Sequence, residues 1–585
     1  MTLAYEGRLG LLAILAAAGL LAITVQLLSL QVLEQEEWQA RADALVRQTR
    51  PVAARRGAIL DARGEVLAED APAFDLVMTV GGMRASPRAP GSLATLAGML
   101  GIGIEELAAR LARIEEVTER AIARELASTK SRRREREVRR DHEGRPWVLA
   151  ADVSYEVARE IDLNAERTGG LRIAVASRRD YPGGSDFVHV VGRGDTRPPF
   201  LLEGVFGDAL TGADGEVVLT RPPRRLRAQP RVVEERLAVR GKNLHLTIDG
   251  TDQAIAMRAL EGVEGAFVLI AAESGALLAL ASAPSYDPGE YARLLQHWAA
   301  REDERGTPFI DRACRNFHTP GSILKPFTAL AAAEAGILQP DARTECDGYF
   351  TIDGRRQASH RCTAAHGALD LHGALTHSCN IYFQELMLRM DFRAFASAGR
   401  RFGFGESTGL EIEWQTWHGR FPVTGPGARS WPRDERVPDG IGQGTLLLSP
   451  AQIARAYAGL ATGSLPRLHV VSHVGDRAVP VRRDRLDVPP ALLDRIRAAL
   501  AEVVRPGGTA QGYGLMAWPI HAKTGTAQIG GGLNNAWMAG FVPPHGGRPA
   551  VAFAMVVLRT PLHGAQECGP RLANFFRAFY GGSSE

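Results

Sequence analysis

The chain has 585 residues, too many for one ordinary domain, and length alone suggests two to four. Hydrophobic residues make up 45% and charged residues 23%, so a disordered chain is not the default. A formal net charge of +3 is too small to argue for nucleic acid as a partner, and no zinc-knuckle, Walker or phosphate-cradling glycine pattern is present.

The segment from Leu9 to Val25, LGLLAILAAAGLLAITV, carries no charge, and QLLSLQVL continues it to Leu33. Roughly 20 apolar residues span a bilayer, whereas the core of a cleaved signal has about 7–15. A single transmembrane signal anchor at 9–33 is therefore expected, with residues 1–8 as a cytoplasmic tail and the body outside. The polar stretch EQEEWQARADALVRQTR reads as a continuing helix ended by Pro51. RRGAILDARGEVLAED gives two short apolar runs around Ala62-Arg63-Gly64, a hairpin signal. Apolar spacing from Leu93 to Leu126 is helical, and the charge run Lys130–Arg145 suits a solvated helix face or linker better than a binding patch. YEVAREIDLNAE follows as a helix, and RDYPGGSDFVHVVG as a turn and a strand.

After about Arg240 the pattern changes. NLHLTID alternates like a strand, and AFVLIAAESGALLALAS is two apolar runs hinged at Glu273-Ser274-Gly275. A mainly helical middle runs from about Tyr291 to Val504, before three strand candidates, HAKTGTAQ, AWMAGFV and AVAFAMVVL. Strands at both ends with helices between imply an α+β domain, an antiparallel sheet with helices packed on it.

Of the 69 basic residues only Lys130, Lys242, Lys325 and Lys523 are lysine. Arginine stays protonated, whereas a buried lysine can release its proton and act as a base. Pro320-Gly321 breaks the chain before KPFTALAAAEAG, a helix ending at Gly336, which puts Ser322 at a helix N-terminus. Residues at i and i+3 share a helix face, so Lys325 can turn its amine toward the Ser322 hydroxyl. A serine hydroxyl needs such an adjacent base. Alone, Ser-x-x-Lys is equally an N-cap serine with a surface lysine. HSCNIYF adds Ser378-x-Asn380, and HAKTGTAQ adds Lys523-Thr524-Gly525-Thr526. The set Ser-x-x-Lys, Ser-x-Asn, Lys-Thr-Gly in that order is a specific signature.

On these motifs the chain resembles class B penicillin-binding proteins, membrane-anchored D,D-transpeptidases of bacterial wall synthesis. RRGAILDARGEVLA resembles their membrane-proximal motif and RDYPGGSDFVHVVG their dimerisation or pedestal region. GAFVLIAAESGALLALASAPSYDP, HGALDLHGALTHSCN, IGQGTLLLSPAQIA and KTGTAQ resemble successive transpeptidase segments. GSILKP replaces the commoner G-S-T-F-K-P, and NNAW stands where a histidine often precedes Ala-Trp. The resemblance implies a pedestal/dimerisation domain at 34–240 and a transpeptidase domain at 241–585. It implies Ser322 as nucleophile, Lys325 as its base, Ser378 as proton relay, Asn380 as orienting group and Lys523 as a cation holding Lys325 neutral. Thr524, Gly525 and Thr526 would bind substrate, and the N–H groups of Ser322 and Thr526 would form the oxyanion hole. No cofactor is implied. Expected ligands and partners are peptidoglycan stem peptides, β-lactams, a SEDS-type membrane glycosyltransferase and other wall-synthesis proteins. The expected location is the bacterial inner membrane, single pass, with the catalytic domain outside the cytoplasm. IGQGTLLLSPAQIA resembles the elongation type; a septal enzyme, or a β-lactam-binding scaffold activating a glycosyltransferase, is the alternative. A carboxypeptidase side activity fits the same residues. A β-lactamase would need a deacylation base, and no glycosyltransferase carboxylate motif appears between Glu34 and Arg240.

Five cysteines, Cys314, Cys346, Cys362, Cys379 and Cys568, leave at least one unpaired if the body is exported. Cys346, His360, Cys362 and His366 lack a paired C-x-x-C, so a disulfide between Cys346 and Cys362, or free thiols, is expected rather than a metal site.

Overall fold

The computed structural model describes residues 3–35, 47–85, 92–127, 131–163, 171–220, 232–299, 306–352, 355–423 and 436–581. Two compact units divide the chain, one of Met1–Arg56 with Thr211–Lys242, the other of Gly57–Leu210 with Asn243–Glu585.

In the first unit, Leu3–Leu28 is a 26-residue helix, and its described side chains, from Ile14 onward, are exposed. Among the described residues no helix is long and apolar enough to cross a membrane. Residues 36–46 of the expected continuing helix lie outside the described residues, and its end differs from expectation. Arg47–Val52 is a strand paired antiparallel with Gly215–Thr220, which also pairs with Val232–Arg236. Pro51 therefore sits in an outer strand of a three-stranded sheet rather than stopping a helix.

The second unit begins with the expected hairpin, Ile59–Leu60 against the long strand Val66–Thr79. That strand continues into pairs with Leu171–Asp180 and Pro146–Ala150. The Lys130–Arg145 charge run contains the helix Arg132–Glu143, which buries Val138 and His142 and spreads its arginines among Glu119, Glu125, Glu135 and Glu137. It is a solvated helix face; Lys130 itself lies outside the described residues. The expected strand in RDYPGGSDFVHVVG is instead the helix Gly184–Val191, with Phe187 through Val191 all buried. A short run buried on every side carries no period, so pattern alone could not separate helix from strand.

The largest sheet of buried strands in this unit has five antiparallel members: β1 (Gly265–Ala271), β2 (Leu277–Ala283), β3 (His521–Gly530), β4 (Leu533–Val542) and β5 (Val551–Thr560). Their order is β2-β1-β5-β4-β3, so both ends of the domain build one sheet, as the pattern implied. Alternate residues of β1 go to opposite cores, Ala266, Val268 and Ile270 to one and Phe267 and Leu269 to the other. Burial on both faces explains why these strands read as unbroken apolar runs. One face carries the helices Gly250–Ala259 and Gly564–Gly581; the other carries α1 (Lys325–Glu334), α2 (Asn380–Arg389) and Pro450–Thr462. Pro450–Thr462 is started by a complete capping box, Ser449 with Gln452. The middle segment is less helical than expected: Thr344–Cys346, Tyr349–Ile352, Arg355–Arg361 and Gly367–Leu369 form two small hairpin-like sheets, and Val471–Val474 joins Leu244–Leu246.

Candidate active site

Ser322 lies in a 3-10 turn, Gly321–Leu324, that feeds directly into α1 at Lys325. Pro326 sits in the first helical turn, where its missing N–H costs nothing. The turn is fixed from several directions. The Gly321 N–H donates to the Gly442 carbonyl at 2.8 Å, the Tyr457 hydroxyl donates to Ile323 O at 2.8 Å, and the Trp537 indole donates to Thr319 O at 3.0 Å. Gly321 and Gly442 both have positive φ, +63° and +71°. A Cβ on Gly442 would stand 2.2 Å from Gly321 O, so only glycine lets the two backbones meet.

The Lys325 side chain is fully buried. Its amine lies 2.7 Å from Ser378 O, 3.0 Å from Ser378 Oγ and 2.8 Å from Asn380 Oδ1. Two of these oxygens can only accept, and the hydroxyl can donate. An uncharged amine, with two N–H groups and one lone pair, satisfies all three. Burial pushes Lys325 down to about 8, and nearby Cys362 and Cys379 work in the opposite direction. Ser378 takes a positive φ of 56°, a strained setting for a residue with a Cβ, and directs both of its oxygens at the amine. Asn380, the first residue of α2, is held by its Nδ2 donating to Arg361 O at 2.9 Å.

Lys523 is also fully buried, on β3, and donates to Thr524 O at 3.1 Å. Burial pushes its amine well below the usual lysine range, and the charge of Lys325 adds to that. The like-charge effect expected to keep Lys325 neutral thus falls on Lys523; for Lys325 the leading cause is burial. Repulsion is mutual, so the pair resists carrying two protons at once.

β3 is an edge strand, so one side of its backbone is open. Thr526 O accepts from Gln443 Nε2 at 2.7 Å, off the sheet. In an antiparallel ladder the N–H and C=O of one residue point the same way, so the Thr526 N–H also faces outward. Strand alternation separates Thr524 and Thr526 from the face of Lys523 and Gly525. Thr524 and Thr509 hydroxyls lie 2.7 Å apart and either can be the donor, so Thr524 can accept there and still offer its own proton. Thr526 Oγ1 accepts the Gly564 N–H at 3.1 Å and keeps its own proton to donate. Gly525 is required on the protein side rather than the open side: a Cβ there would meet Ile323 Cγ2 at 3.0 Å and Pro320 O at 3.1 Å.

The structure thus gathers Lys325, Ser378 and Asn380 directly behind the turn bearing Ser322, with Lys523 near enough to feel the Lys325 charge. Sequence reasoning gave no role to Gln443, Gly442 or Thr509; the Gly-Gln-Gly within IGQGT was the available signal for the first two. Gln443→Leu removes the bond that orients the Thr526 peptide, and acylation by penicillin is expected to slow by about fivefold to tenfold, the worth of one net hydrogen bond. Stopped-flow labelling measures it, and an unchanged rate would deny Gln443 that role.

Among the described residues, Cys346, Cys362, His366 and Cys379 place their ligand atoms within 4.8 Å of one another, a soft donor set of the kind zinc takes. Cys379 was not in the group read from sequence spacing, and the His360 side chain lies outside the described residues. All five cysteines are free. The hydrogen bond with Cys379 holds the Cys362 thiol below its usual range against the opposing effect of burial, with help from the Asn380 and Ile381 N–H groups.

A family model described as "Penicillin binding protein transpeptidase domain" matches residues 265–579, and one described as "Penicillin-binding Protein dimerisation domain" matches residues 51–196. The chain is 26% identical over 567 residues to the peptidoglycan D,D-transpeptidase MrdA of Acinetobacter baumannii, covering 90% of this chain and 78% of that protein. It is 26% identical over 580 residues to the peptidoglycan D,D-transpeptidase FtsI of Escherichia coli K12, covering 94% and 87%. A chain from the structure titled "Structural coordination of polymerization and crosslinking by a peptidoglycan synthase complex" superposes with a TM-score of 0.68 at 25% identity over 98% of both chains. PBP2 from Helicobacter pylori in complex with MreC shares the fold, with a TM-score of 0.68 at 19% identity over 92% of this chain and 99% of that one. With the transpeptidase model alone matching more than half of its length, the chain belongs to the penicillin-binding protein transpeptidase family, as a class B member with a dimerisation domain ahead of the transpeptidase domain.

Proposed function

We propose that this protein is an elongation-type peptidoglycan D,D-transpeptidase that works through a serine acyl-enzyme. The observation that carries the reading is the buried Lys325 amine, held by Ser378 and Asn380 one helical turn from Ser322. Ser322 Oγ attacks the carbonyl of the penultimate D-Ala in a stem peptide as its proton passes to Lys325 Nζ. The oxyanion is received by the N–H groups of Ser322 and Thr526; one such donor is typically worth about 3–4 kcal/mol. The Ser378 hydroxyl, in contact with the Lys325 amine, relays the proton to the departing D-Ala amine. An amine from a second stem peptide then attacks the ester, closing the cross-link and freeing Ser322. Lys523 and Lys325 resist carrying two protons at once, and the Thr524 and Thr526 hydroxyls, on one face of the edge strand, bind the substrate carboxylate. β-Lactams acylate the same serine because their strained amide presents the same carbonyl.

The MrdA relatives support the elongation role, and structural neighbours drawn from a peptidoglycan synthase complex and from a complex with MreC support wall-synthesis proteins as partners, with which a SEDS-type glycosyltransferase is compatible. Residues 9–33 serve as a single-pass anchor in the bacterial inner membrane, an assignment supported by the exposed Ile14, Leu15, Leu20, Leu21 and Ile23 on the uncharged stretch of the first helix. Residues 34–240 serve as the pedestal and 241–585 as the catalytic domain. The test is cross-linking of lipid-linked disaccharide pentapeptide by the full-length protein with a membrane glycosyltransferase. Muramidase digestion should release cross-linked dimers from the wild type and none from Ser322→Ala. Dimers made by the alanine variant would refute the reading.

A further inference from the structure

The second unit holds a cavity of about 320 Å³ whose wall includes His189, Tyr286, Phe309, Arg315, Asn316 and Trp414. His189 comes from the helix Gly184–Val191 and is only 5% exposed, and among the described residues its Nε2 has no hydrogen-bond partner. Tyr286 stands edge-on to His189 at 5.9 Å and to Phe309 at 5.0 Å, which makes one wall aromatic. Trp414 is 46% exposed; its indole N–H donates to Arg315 O at 2.9 Å, and the Arg315 guanidinium lies 3.7 Å from its ring centre. The buried Arg315 Nε is also without a hydrogen-bond partner among the described residues. Asp311 is the carboxylate of this wall, and its oxygens already accept from the Ala313 N–H, the Cys314 N–H and the Cys314 thiol.

Buried nitrogens without partners are costly, so a wall that keeps two of them is suited to a polar ligand. One guanidinium beside one carboxylate favours neither an anion nor a cation, and aromatic rings pack best on C–H surface. A neutral sugar ring meets both demands, with C–H bonds on its faces and hydroxyl and acetamide groups around its rim. We propose that this cavity binds an N-acetylated amino sugar of the glycan strand, holding the sugar while its stem peptide reaches Ser322. The proposal rests on the transpeptidase reading above. The sugar's C–H face packs on the aromatic wall, its oxygens accept from Arg315 Nε and the Asn316 amide, and one hydroxyl bonds His189 Nε2. The stem-bearing sugar is neutral because its carboxyl is consumed in the amide link to the peptide. Asn316 lies six residues before Ser322 and therefore within about 22 Å of it. A stem peptide puts about four residues, roughly 14 Å when extended, between its sugar and the penultimate D-Ala carbonyl, and the sugar ring adds to that reach. One donor strand can thus occupy the cavity and the serine together.

The experiment uses the full-length protein in a detergent without a sugar headgroup, with the neutral disaccharide N,N′-diacetylchitobiose as probe and saturation-transfer NMR as readout. Saturation is expected to reach the ring and acetyl protons of the probe, and to persist after Ser322 has been acylated by penicillin. Cellobiose, which lacks the acetamides, should bind at least about fivefold more weakly. Trp414→Ala should weaken binding of the probe about fivefold, and Trp414→Phe, which keeps an aromatic face, by less than about threefold. Asn316→Ala, which leaves Arg315 stacked on Trp414, should also weaken it about fivefold. The proposal is overturned if no saturation is transferred, if cellobiose binds equally well, or if either alanine variant binds like the wild type. It is also overturned if penicillin abolishes the signal, which would put the sugar in the Ser322 cleft instead. A protein that binds the probe as expected but is not labelled by penicillin at Ser322 would overturn the transpeptidase reading and leave the sugar site standing.

Discussion

Replacing Lys325 by arginine is expected to slow penicillin acylation of Ser322 by about 10²–10⁴-fold, as severely as replacing it by alanine. The side chain is fully buried and its three contacts are all oxygens of Ser378 and Asn380. What the site needs is an amine able to lose its proton, and guanidinium does not lose one in this pH range. Arginine would also bring a larger, permanently charged group into a space without a carboxylate among those contacts, where a buried charge is costly. Retained folding is checked by circular dichroism and acylation by labelled penicillin. An arginine variant within tenfold of wild type would show that positive charge, not basicity, is what the position supplies.

Gly442→Ala is expected to cost about 100-fold in acylation although residue 442 touches no reacting atom. At φ +71° an alanine pays about 1–2 kcal/mol of backbone strain. The larger effect is steric. Its Cβ would lie 2.2 Å from Gly321 O and 2.8 Å from Gly321 N, which belong to backbone and have no rotamer to escape through. Either the loop at Pro438–Ile441 or the 3-10 turn must retreat by about 1 Å, and the turn carries Ser322. The bond from Gly321 N–H to Gly442 O would go with it. Second-order acylation rates read the effect; a variant that acylates normally would mean that the turn is held by Tyr457 and Trp537 alone.

The catalytic sheet was legible because its strands are buried on both faces and its apolar runs lie at the two ends of the domain. Ser322, Lys325, Ser378 and Asn380 were legible because a rare lysine and three spaced motifs coincide. The pedestal was less so. Phe187–Val191 is a five-residue run buried on every side, so length and period could not tell helix from strand, and Arg47–Val52 owes its strand to a partner more than 160 residues away in Gly215–Thr220. Thr524 and Thr526 were assigned to substrate by resemblance to the family motif, and strand alternation sets both on one face, opposite Lys523, with Thr524 also hydrogen-bonded to Thr509. The cysteine group escaped because Cys379 was read only as the variable middle of Ser-x-Asn. The proximity of Cys362 depends on the small sheets between Thr344 and Leu369, which the sequence had disguised as helical ground.

The most direct test is the pH dependence of acylation. Burial lowers Lys325 to about 8, so below that pH the amine is increasingly protonated and cannot accept the Ser322 proton. The rate for the wild type should fall about tenfold per unit as pH drops below about 8, level off above it, and lose this dependence in Lys325→Ala. A wild-type rate that stays flat from about pH 6 to 9, or the same pH profile in the alanine variant, would contradict the assignment of Lys325 as the base.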